Sequence, residues 1–330
     1  MSKRLLPAVA ALMATTLGDA RAACDKMDKV TAVWLPIMQT TAYYVALEEK
    51  LFEKACIDIE STKMEAPNQI IDALVADRAD FGAPGAAAGI AMIAESKFSG
   101  KFKIFGLQGG SIAENKINDG LIVKPDNETI KSFADLKGKT LGHVPGIQWR
   151  TISRHMVRAA GLDPDKDVTF VDLAVAMQVP AVIGGTVDAT LSLEPVGSIA
   201  VASGKAKRAM TNPVEGVIAE PFYSGASILT TKFLKERPDV AKRVVKVIDE
   251  ATDMVNADFG KYKDVIPKYT PIKPEQLGLV AQPYLRGFKD INDTDIKSYQ
   301  ALVDVFIQEG VLAGPMNVKE KMLTKAELGN

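Results

Sequence analysis

Val30-Thr31-Ala32-Val33-Trp34-Leu35 and Cys56-Ile57-Asp58-Ile59-Glu60-Ser61, separated by a helical stretch at 43–54, decide the fold class. Both quoted runs are short and rich in β-branched residues, so they read as strands. The alternation continues downstream. Residues 68–77 place Ile70, Ile71, Leu74 and Val75 on one helical face, and 80–83 form a short strand. An Ala-rich helix at 86–95 and a strand at 103–107 follow. Such strand–helix–strand repetition predicts a parallel, doubly wound α/β sheet with right-handed crossovers.

The pattern then restarts. Residues 121–124 and 140–143 read as strands around a short helix at 132–136. The stretch 148–160 is amphipathic through Ile152, Met156, Ala159 and Ala160, and Gly161-Leu162 gives it a left-handed stop. Further strands are expected at 168–172, 189–193, 206–211 and 227–230. From Pro238 the chain turns helical, with 238–255 carrying Val240, Val244, Val247, Ile248 and Ala251 at helical spacing and 294–309 stopped by Gly310. Two α/β units followed by helices predict two lobes with crossings near 112–122 and 220–227. Lobe I takes 23–120 and 226–330, and lobe II takes 121–225. Ligands of such sheets sit beyond the carboxyl ends of the strands, here in a cleft between the lobes.

The 330 residues carry 40 Lys and Arg against 41 Asp and Glu, which argues against a nucleic-acid surface. Aromatics make up 6%, too few for base-stacking platforms. Residues 1–22 read as a cleaved secretory signal: Lys3 and Arg4, an uncharged run from Leu5 to Leu17, then Ala20-Arg21-Ala22. The competing reading is a buried first helix. Export implies an oxidising compartment, in which Cys24 and Cys56 are either bridged or two separate thiols. Arg21 at the −3 position argues against lipidation of Cys24. No later segment qualifies as transmembrane, so a soluble periplasmic protein is expected.

Catalytic patterns are weak. Only two histidines occur, His143 and His155, and no Cys/His/Asp/Glu set has metal-ligand spacing, so no metal or cofactor is expected. There is no G-x-S-x-G elbow. Gly138-Lys139-Thr140 imitates the end of a phosphate loop, but Phe133 stands where its first glycine is required. His143 ends a strand near the cleft and is either a base or a structural residue.

Trp34-Leu35-Pro36, Ala42-Tyr43-Tyr44-Val45-Ala46 and Glu49-Lys50-Leu51-Phe52 resemble the opening of nitrate/sulfonate/taurine-type substrate-binding proteins of ABC importers, a family that includes pyrimidine-precursor binders. Phe133-Ala134-Asp135-Leu136-Lys137-Gly138-Lys139-Thr140-Leu141-Gly142 is similar to its best-marked segment. Val187-Asp188-Ala189 with Glu194-Pro195 resembles another, although Leu193 replaces a common Trp. Pro145-Gly146 through Ala160-Gly161-Leu162 matches a second-lobe helix. The resemblance covers roughly residues 28 to 255. It implies a type II periplasmic-binding-protein fold and a monomeric, non-enzymatic receptor that delivers a small solute to an ABC permease in the inner membrane. A pyrimidine or thiamine precursor is the alternative solute. The alternative class is a pyrimidine-synthase-like enzyme, whose activity would depend on His143 and which the lack of a clustered Cys motif disfavours.

Four strand ends carry the candidate contacts: Gln39, Thr40 and Thr41; Pro84 and Gly85; Gln108 and Gly109; and Gly146, Gln148, Trp149 and Arg150. Gly-rich turns let backbone N–H groups approach a ligand, and the helix opening after Gly146 favours an anion. Arg150 either adds a bidentate contact or points to solvent. Trp34 and Tyr43 either stack on a ligand ring or are core. Glu194 is a partner for an amine or ring N–H, and Tyr223 lies in the second crossing. The related binders often have a hydroxyl residue where Ile147 stands. Its loss favours a larger, partly apolar anion, a sulfonate or an aromatic acid.

Overall fold

Lys50 breaks the helix expected over 43–54. Its backbone is left-handed, with φ of 55°, so the stretch divides into α1 (Thr41–Glu48) and α2 (Leu51–Lys54). The computed structural model describes residues 24–329; the signal segment read at 1–22 lies outside the described residues. The first sheet contains β1 (Asp28–Trp34), β2 (Ile57–Lys63), β3 (Phe81–Ala87) and β4 (Phe102–Gly110). Helices α3 (Pro67–Val75) and α4 (Ala88–Lys97) connect the later pairs. The second sheet contains β5 (Asp119–Val123), β6 (Lys139–His143), β7 (Val168–Asp172), β8 (Ala189–Leu193) and β9 (Lys207–Thr211). Its helices are α5 (Ile147–Ala159), α6 (Val175–Gly184) and α7 (Val196–Ala202). The chain then returns through β10 (Phe222–Thr230) to α8 (Thr231–Glu236), α9 (Pro238–Ala257), α10 (Phe259–Tyr262) and α11 (Ile266–Tyr269). Strand β11 (Tyr284–Arg286) and α12 (Asp293–Gln308) complete the elements used below.

The sheets are mixed, which corrects the expectation of all-parallel sheets. Their orders are β11-β4-β10-β3-β1-β2 and β7-β6-β8-β5-β9. Strands β1, β2 and β3 pair in parallel, as do β7, β6 and β8. Strand β10 runs antiparallel between β3 and β4, and β5 runs antiparallel to β8 and β9. Strands β5 and β10 are the ones that follow a crossing; the edge strand β11 also runs antiparallel to β4. A chain arriving from the other lobe enters its new sheet at the cleft edge and must run away from it. Because β10 begins at Phe222, residues 222–225, assigned above to lobe II, belong to the first sheet.

Two stretches read as turns are strand. Gly82-Ala83-Pro84-Gly85 lies inside β3, which is buried along its whole length, and Gln108-Gly109-Gly110 extends β4. Gly109 is there because β10 presses on it: a Cβ would sit 1.8 Å from the Phe222 carbonyl oxygen. Helices α6 and α7 escaped the sequence reading. Val175–Gly184 is almost continuously apolar and contains Pro180, so it shows no 3.6-residue period.

Helices cover both faces of the first sheet. On one face, Tyr43, Tyr44 and Phe52 of α1 and α2 pack with Val240, Val244 and Ile248 of α9. On the other, Ile70, Ile71 and Leu74 of α3 and Ala91 of α4 pack with Tyr299, Leu302 and Phe306 of α12. That second core continues into the second lobe through Trp149, Ile152 and Met156 of α5. Each large side chain buried this way contributes about 1.5–3 kcal/mol.

Cys24 and Cys56 are joined as a disulfide, with Cα atoms 5.6 Å apart. The bridge ties the segment before β1 to the residue before β2 across a sequence separation of 32. Replacing both cysteines by serine is expected to lower unfolding free energy by about 2–4 kcal/mol. Urea denaturation checks this, and an unchanged midpoint would contradict it.

Candidate ligand-binding cleft

The carboxyl ends of β1, β2 and β3 face those of β6, β7 and β8 across a cavity of about 730 Å³. The first lobe contributes Leu35, Pro36, Ile37 and Gln39 after β1, Glu65, Ala66 and Pro67 after β2, and Gly85 and Ala87 of β3. The second lobe contributes Val144, Pro145, Gln148 and Trp149 after β6, the α6 face with Ala174, Val175 and Val179, and Glu194, Pro195 and the α7 face. Ser224 of β10 lies at the base, and Pro271, Ile272, Gln276 and Leu279 cross over the outer side. Most of this wall is apolar.

The electrostatics come from the backbone. Helices α3, α4, α5, α6 and α7 begin at the cleft, with Ala66, Ala87, Gly146, Ala174 and Pro195 as their N-caps. None of these residues has a side-chain oxygen. Away from the cleft, α8, α10 and α12 are capped by Thr230, Asp258 and Asn292. The first N–H groups of a helix have no intrahelical partner, and the aligned peptide dipoles make that end positive. Some of these groups are already engaged: Gln148 Oε1 accepts from Gly89 N–H of α4 (2.8 Å), and Glu194 accepts from Ser198 N–H of α7 (3.2 Å). Among the described residues, no hydrogen bond engages the N–H groups of Ile147 and Gln148 at the start of α5 or of Val175 and Ala176 at the start of α6. The acidic side chains are neutralised, Glu65 by Lys63 at 2.9 Å and Glu194 by Arg208 at 2.6 Å.

Of the candidates drawn from the sequence, Gln39, Gly85, Gln148, Trp149 and Glu194 line the cavity. The others lie elsewhere. Tyr43 is fully buried, donates to Ser61 Oγ (2.8 Å) and packs edge-on against Phe52 and Phe81. Trp34 packs edge-on against Tyr44 and Tyr269. Both are core. Thr40 and Thr41 are buried at the start of α1, where the Thr41 hydroxyl donates to the Met38 carbonyl. Pro84 and Gly109 are buried in strands. Gln108 braces the strands from within: its Oε1 accepts from Gly85 N–H and its Nε2 donates to Ser227 Oγ, both at 3.0 Å. Gly146, with φ of 103°, turns the chain into α5 but does not line the cavity. Arg150 is exposed and outside the lining, because each helical residue rotates the side chain by about 100° from Gln148 and Trp149. Tyr223 is buried and donates to Asp295 Oδ1 (2.6 Å). His143 is buried beneath the cleft wall with Nδ1 2.9 Å from the Val144 carbonyl, and burial pushes its pKa down.

The sequence reading missed Glu65 to Pro67, the α6 and α7 faces, and the 270–279 segment. For the first two, the available signal was position: each follows a strand whose carboxyl end faces the cleft. The 270–279 segment belongs to no strand end and had no such signal.

Gln148 also joins the lobes. Besides accepting from Gly89, its Nε2 donates to the Ser224 carbonyl (2.8 Å). Gln39 Nε2 donates to Asn118 Oδ1 (2.7 Å) and Ser224 Oγ (2.8 Å). At the back, Arg158 of α5 grips Glu309 with two bonds of 3.0 and 3.2 Å. At the crossings, Asp119 and Glu215 are buried together near Arg208, Glu194 and Glu220. Burial, above all, pushes Asp119 up to about 7, against the lowering effect of its Asn118 hydrogen bond. Burial and the Asp119 charge push Glu215 well above its usual range.

Two outcomes follow from these contacts. Gln148→Ala removes two buried hydrogen bonds and is expected to cost about 1–3 kcal/mol of closed-state stability. Small-angle scattering of ligand-free protein should show a larger radius of gyration; an unchanged radius removes Gln148 as a latch. For Asp119, the native state holds a proton that the unfolded chain, with a pKa near 3.8, has released. Its contribution therefore falls as pH rises between about 4 and about 7 and is flat above that. Asp119→Asn should be more stable than wild type at pH about 8 and lose this advantage toward pH about 4. Urea midpoints across that window check the sign.

Residues 37–258 match the family described as NMT1/THI5 like. A Brucella abortus protein named, by inference, as a binding protein is 25% identical over 300 residues, covering 86% of each chain. A Bacillus subtilis protein named, again by inference, as an aliphatic sulfonates-binding protein is 24% identical over 329 residues, covering 97% of this chain and 94% of its own. The alkanesulfonate-binding protein SsuA from Xanthomonas axonopodis pv. citri, solved bound to MOPS, superposes with a TM-score of 0.70 at 17% identity, covering 91% of this chain and 99% of that one. The desulfurization enzyme DszB superposes with a TM-score of 0.68 at 14% identity, covering 92% and 98%. These likenesses show a periplasmic-binding-protein fold. With the family match extending over two thirds of its length, the chain belongs to the NMT1/THI5-like family.

Proposed function

We propose that this protein is a periplasmic solute receptor of an ABC importer, holding an organic anion of sulfonate type in its inter-lobe cleft. The observation that carries the reading is an apolar cavity of about 730 Å³ onto which α5 and α6 open N-termini without side-chain caps. Its size suits a ligand with a substantial apolar body. The open N–H groups suit a compact anionic head. The names of the sulfonate-binding relatives support the same class. The Cys24–Cys56 bridge fits an oxidising compartment, in agreement with the export signal read at 1–22. The receptor acts as a monomer, and binding closes the lobes about the crossings at 111–118 and 212–221 before an inner-membrane permease accepts the solute.

A cationic pyrimidine or thiamine precursor suits the cavity less well, because Glu65 and Glu194 are both committed to cations. The enzyme reading, raised again by the fold of DszB, needs a nucleophile or base at the ligand. Neither a cysteine nor a histidine is among the described residues lining the cavity, and the lining carboxylates Glu65 and Glu194 are paired with Lys63 and Arg208.

A thermal-shift screen with alkyl and aryl sulfonates, aromatic carboxylates and cationic pyrimidines tests the proposal. Sulfonates with an apolar body are expected to stabilise, by about 2.7 kcal/mol at a hundred times their Kd. Stabilisation by cationic pyrimidines alone, or turnover of a ligand, overturns it. On the identified ligand, Val179→Asp puts a charge on the apolar wall and should weaken binding at least about tenfold. Arg150→Ala should change affinity less than about twofold, as expected for an exposed charge outside the lining. Isothermal titration measures both.

A further inference from the structure

Helices α6 and α7 lie side by side on the second lobe, and each turns an apolar stripe to the cavity. On α6 the stripe is Val175, Val179 and Ile183, one residue per turn. On α7 it is Val196, Ile199 and Ala200. The 270–279 segment of the first lobe lies opposite, with Ile272 and Leu279 completing a groove. Ile199 and Leu277 both pack against the first-lobe core that contains Ile272, so the groove is roofed across the lobes. At 1.5 Å per residue, α7 carries it about 10 Å from Val196 to Ser203.

Lys205 borders the outer end, just after α7 stops at Gly204. It is the only cation among the described residues that line the cavity. The two lining carboxylates already have their own partners, Lys63 and Arg208. Among the described residues, the Lys205 ammonium has neither an ion pair nor a hydrogen bond. A lysine beyond a helix C-terminus also complements the helix dipole, a role that asks nothing of a ligand. The two roles differ in what they do to ligand selectivity.

We propose that the ligand is an elongated anion with two acidic ends. One end meets the open N–H groups at the inner end of the cavity. The chain lies along the α6–α7 groove, and the second acidic group pairs with Lys205. This rests on the anion-receptor reading above and narrows it from one-headed to two-headed solutes. Lys205 is exposed, so a one-headed anion long enough to fill the groove would lay its apolar end beside a hydrated ammonium and gain nothing from its charge. A shorter one would leave the groove wet and its apolar walls unused.

Isothermal titration at low ionic strength, with octanesulfonate and the corresponding α,ω-disulfonate as probes, tests the inference on wild type, Lys205→Met and Lys205→Arg. A symmetric ligand gains a statistical factor of about two from its two orientations. Beyond that factor, wild type and Lys205→Arg are expected to prefer the disulfonate by about three- to tenfold, the scale of an ion pair at a cleft rim. Lys205→Met should keep only the statistical factor and bind the monosulfonate within about twofold of wild type, with an unchanged Tm. Binding of the monosulfonate without a preference for the disulfonate in wild type, or a preference that survives in Lys205→Met, overturns this inference and leaves the anion-receptor reading standing. Failure of both probes and of every other anion in the screen overturns the two together.

Discussion

A strand that brings the chain from one sheet into the other must start at the edge where the sheets face each other. Strands β5 and β10 do so, and each therefore runs antiparallel to its new neighbours. Everything at the cleft depends on that constraint. It leaves β1, β2 and β3 on one side and β6, β7 and β8 on the other with their carboxyl ends pointing at one another. The helices that follow those strands must then begin at the cleft, which is how so many N-termini come to share one cavity. Gln39 and Gln148 reach Ser224 of β10 from opposite lobes, so the returning strand is also where the closed arrangement is held.

Attraction for an anion without a lining cation at the inner end is a consequence of the capping residues. Away from the cleft, Thr230, Asp258 and Asn292 satisfy helix N–H groups with their own side-chain oxygens. At the cleft the caps are alanine, glycine and proline, and the N–H groups of α5 and α6 are left for something else. Partial charges fixed in the backbone need no reorganisation when a ligand arrives, and in a desolvated cleft they act in a lower dielectric than water. Apolar walls do the remaining work by removing ligand surface from water. The crossings use the opposite strategy. Asp119 and Glu215 are buried near Arg208, itself committed to Glu194, so the cost of burying charge shows up as raised pKa values.

The fold class was legible because binary patterning is local. Val30 to Leu35 and the runs that follow announce strands and helices without reference to distant residues, and most elements fall within a few residues of their expected places. What failed did so for identifiable reasons. Gly82 to Gly85 has turn composition, but its small residues serve close packing inside a buried strand. Strand direction does not follow from the pattern of a single segment, and both β5 and β10 took theirs from where the chain had just been. Helix α6 shows no period because its sequence is apolar nearly all round.

For the site, the sequence pointed to a region, the segments that follow the strands, and part of the cavity lining lies there. The sequence could not say which way a side chain faces. Trp34 and Tyr43 looked equally suited to a ligand ring and to a core, and only the packing of α1 against α9 and the Tyr44–Tyr269 stack decided for the core. Gln148, Trp149 and Arg150 are consecutive, yet the helix turns two toward the cleft and its latch and one toward water. The 270–279 segment, far along the chain, became part of the cavity only because the C-terminal helices fold back onto the first sheet. Local sequence sets the period and the caps; which residues meet is set by burial shared between segments hundreds of residues apart, and that exists only in the folded chain.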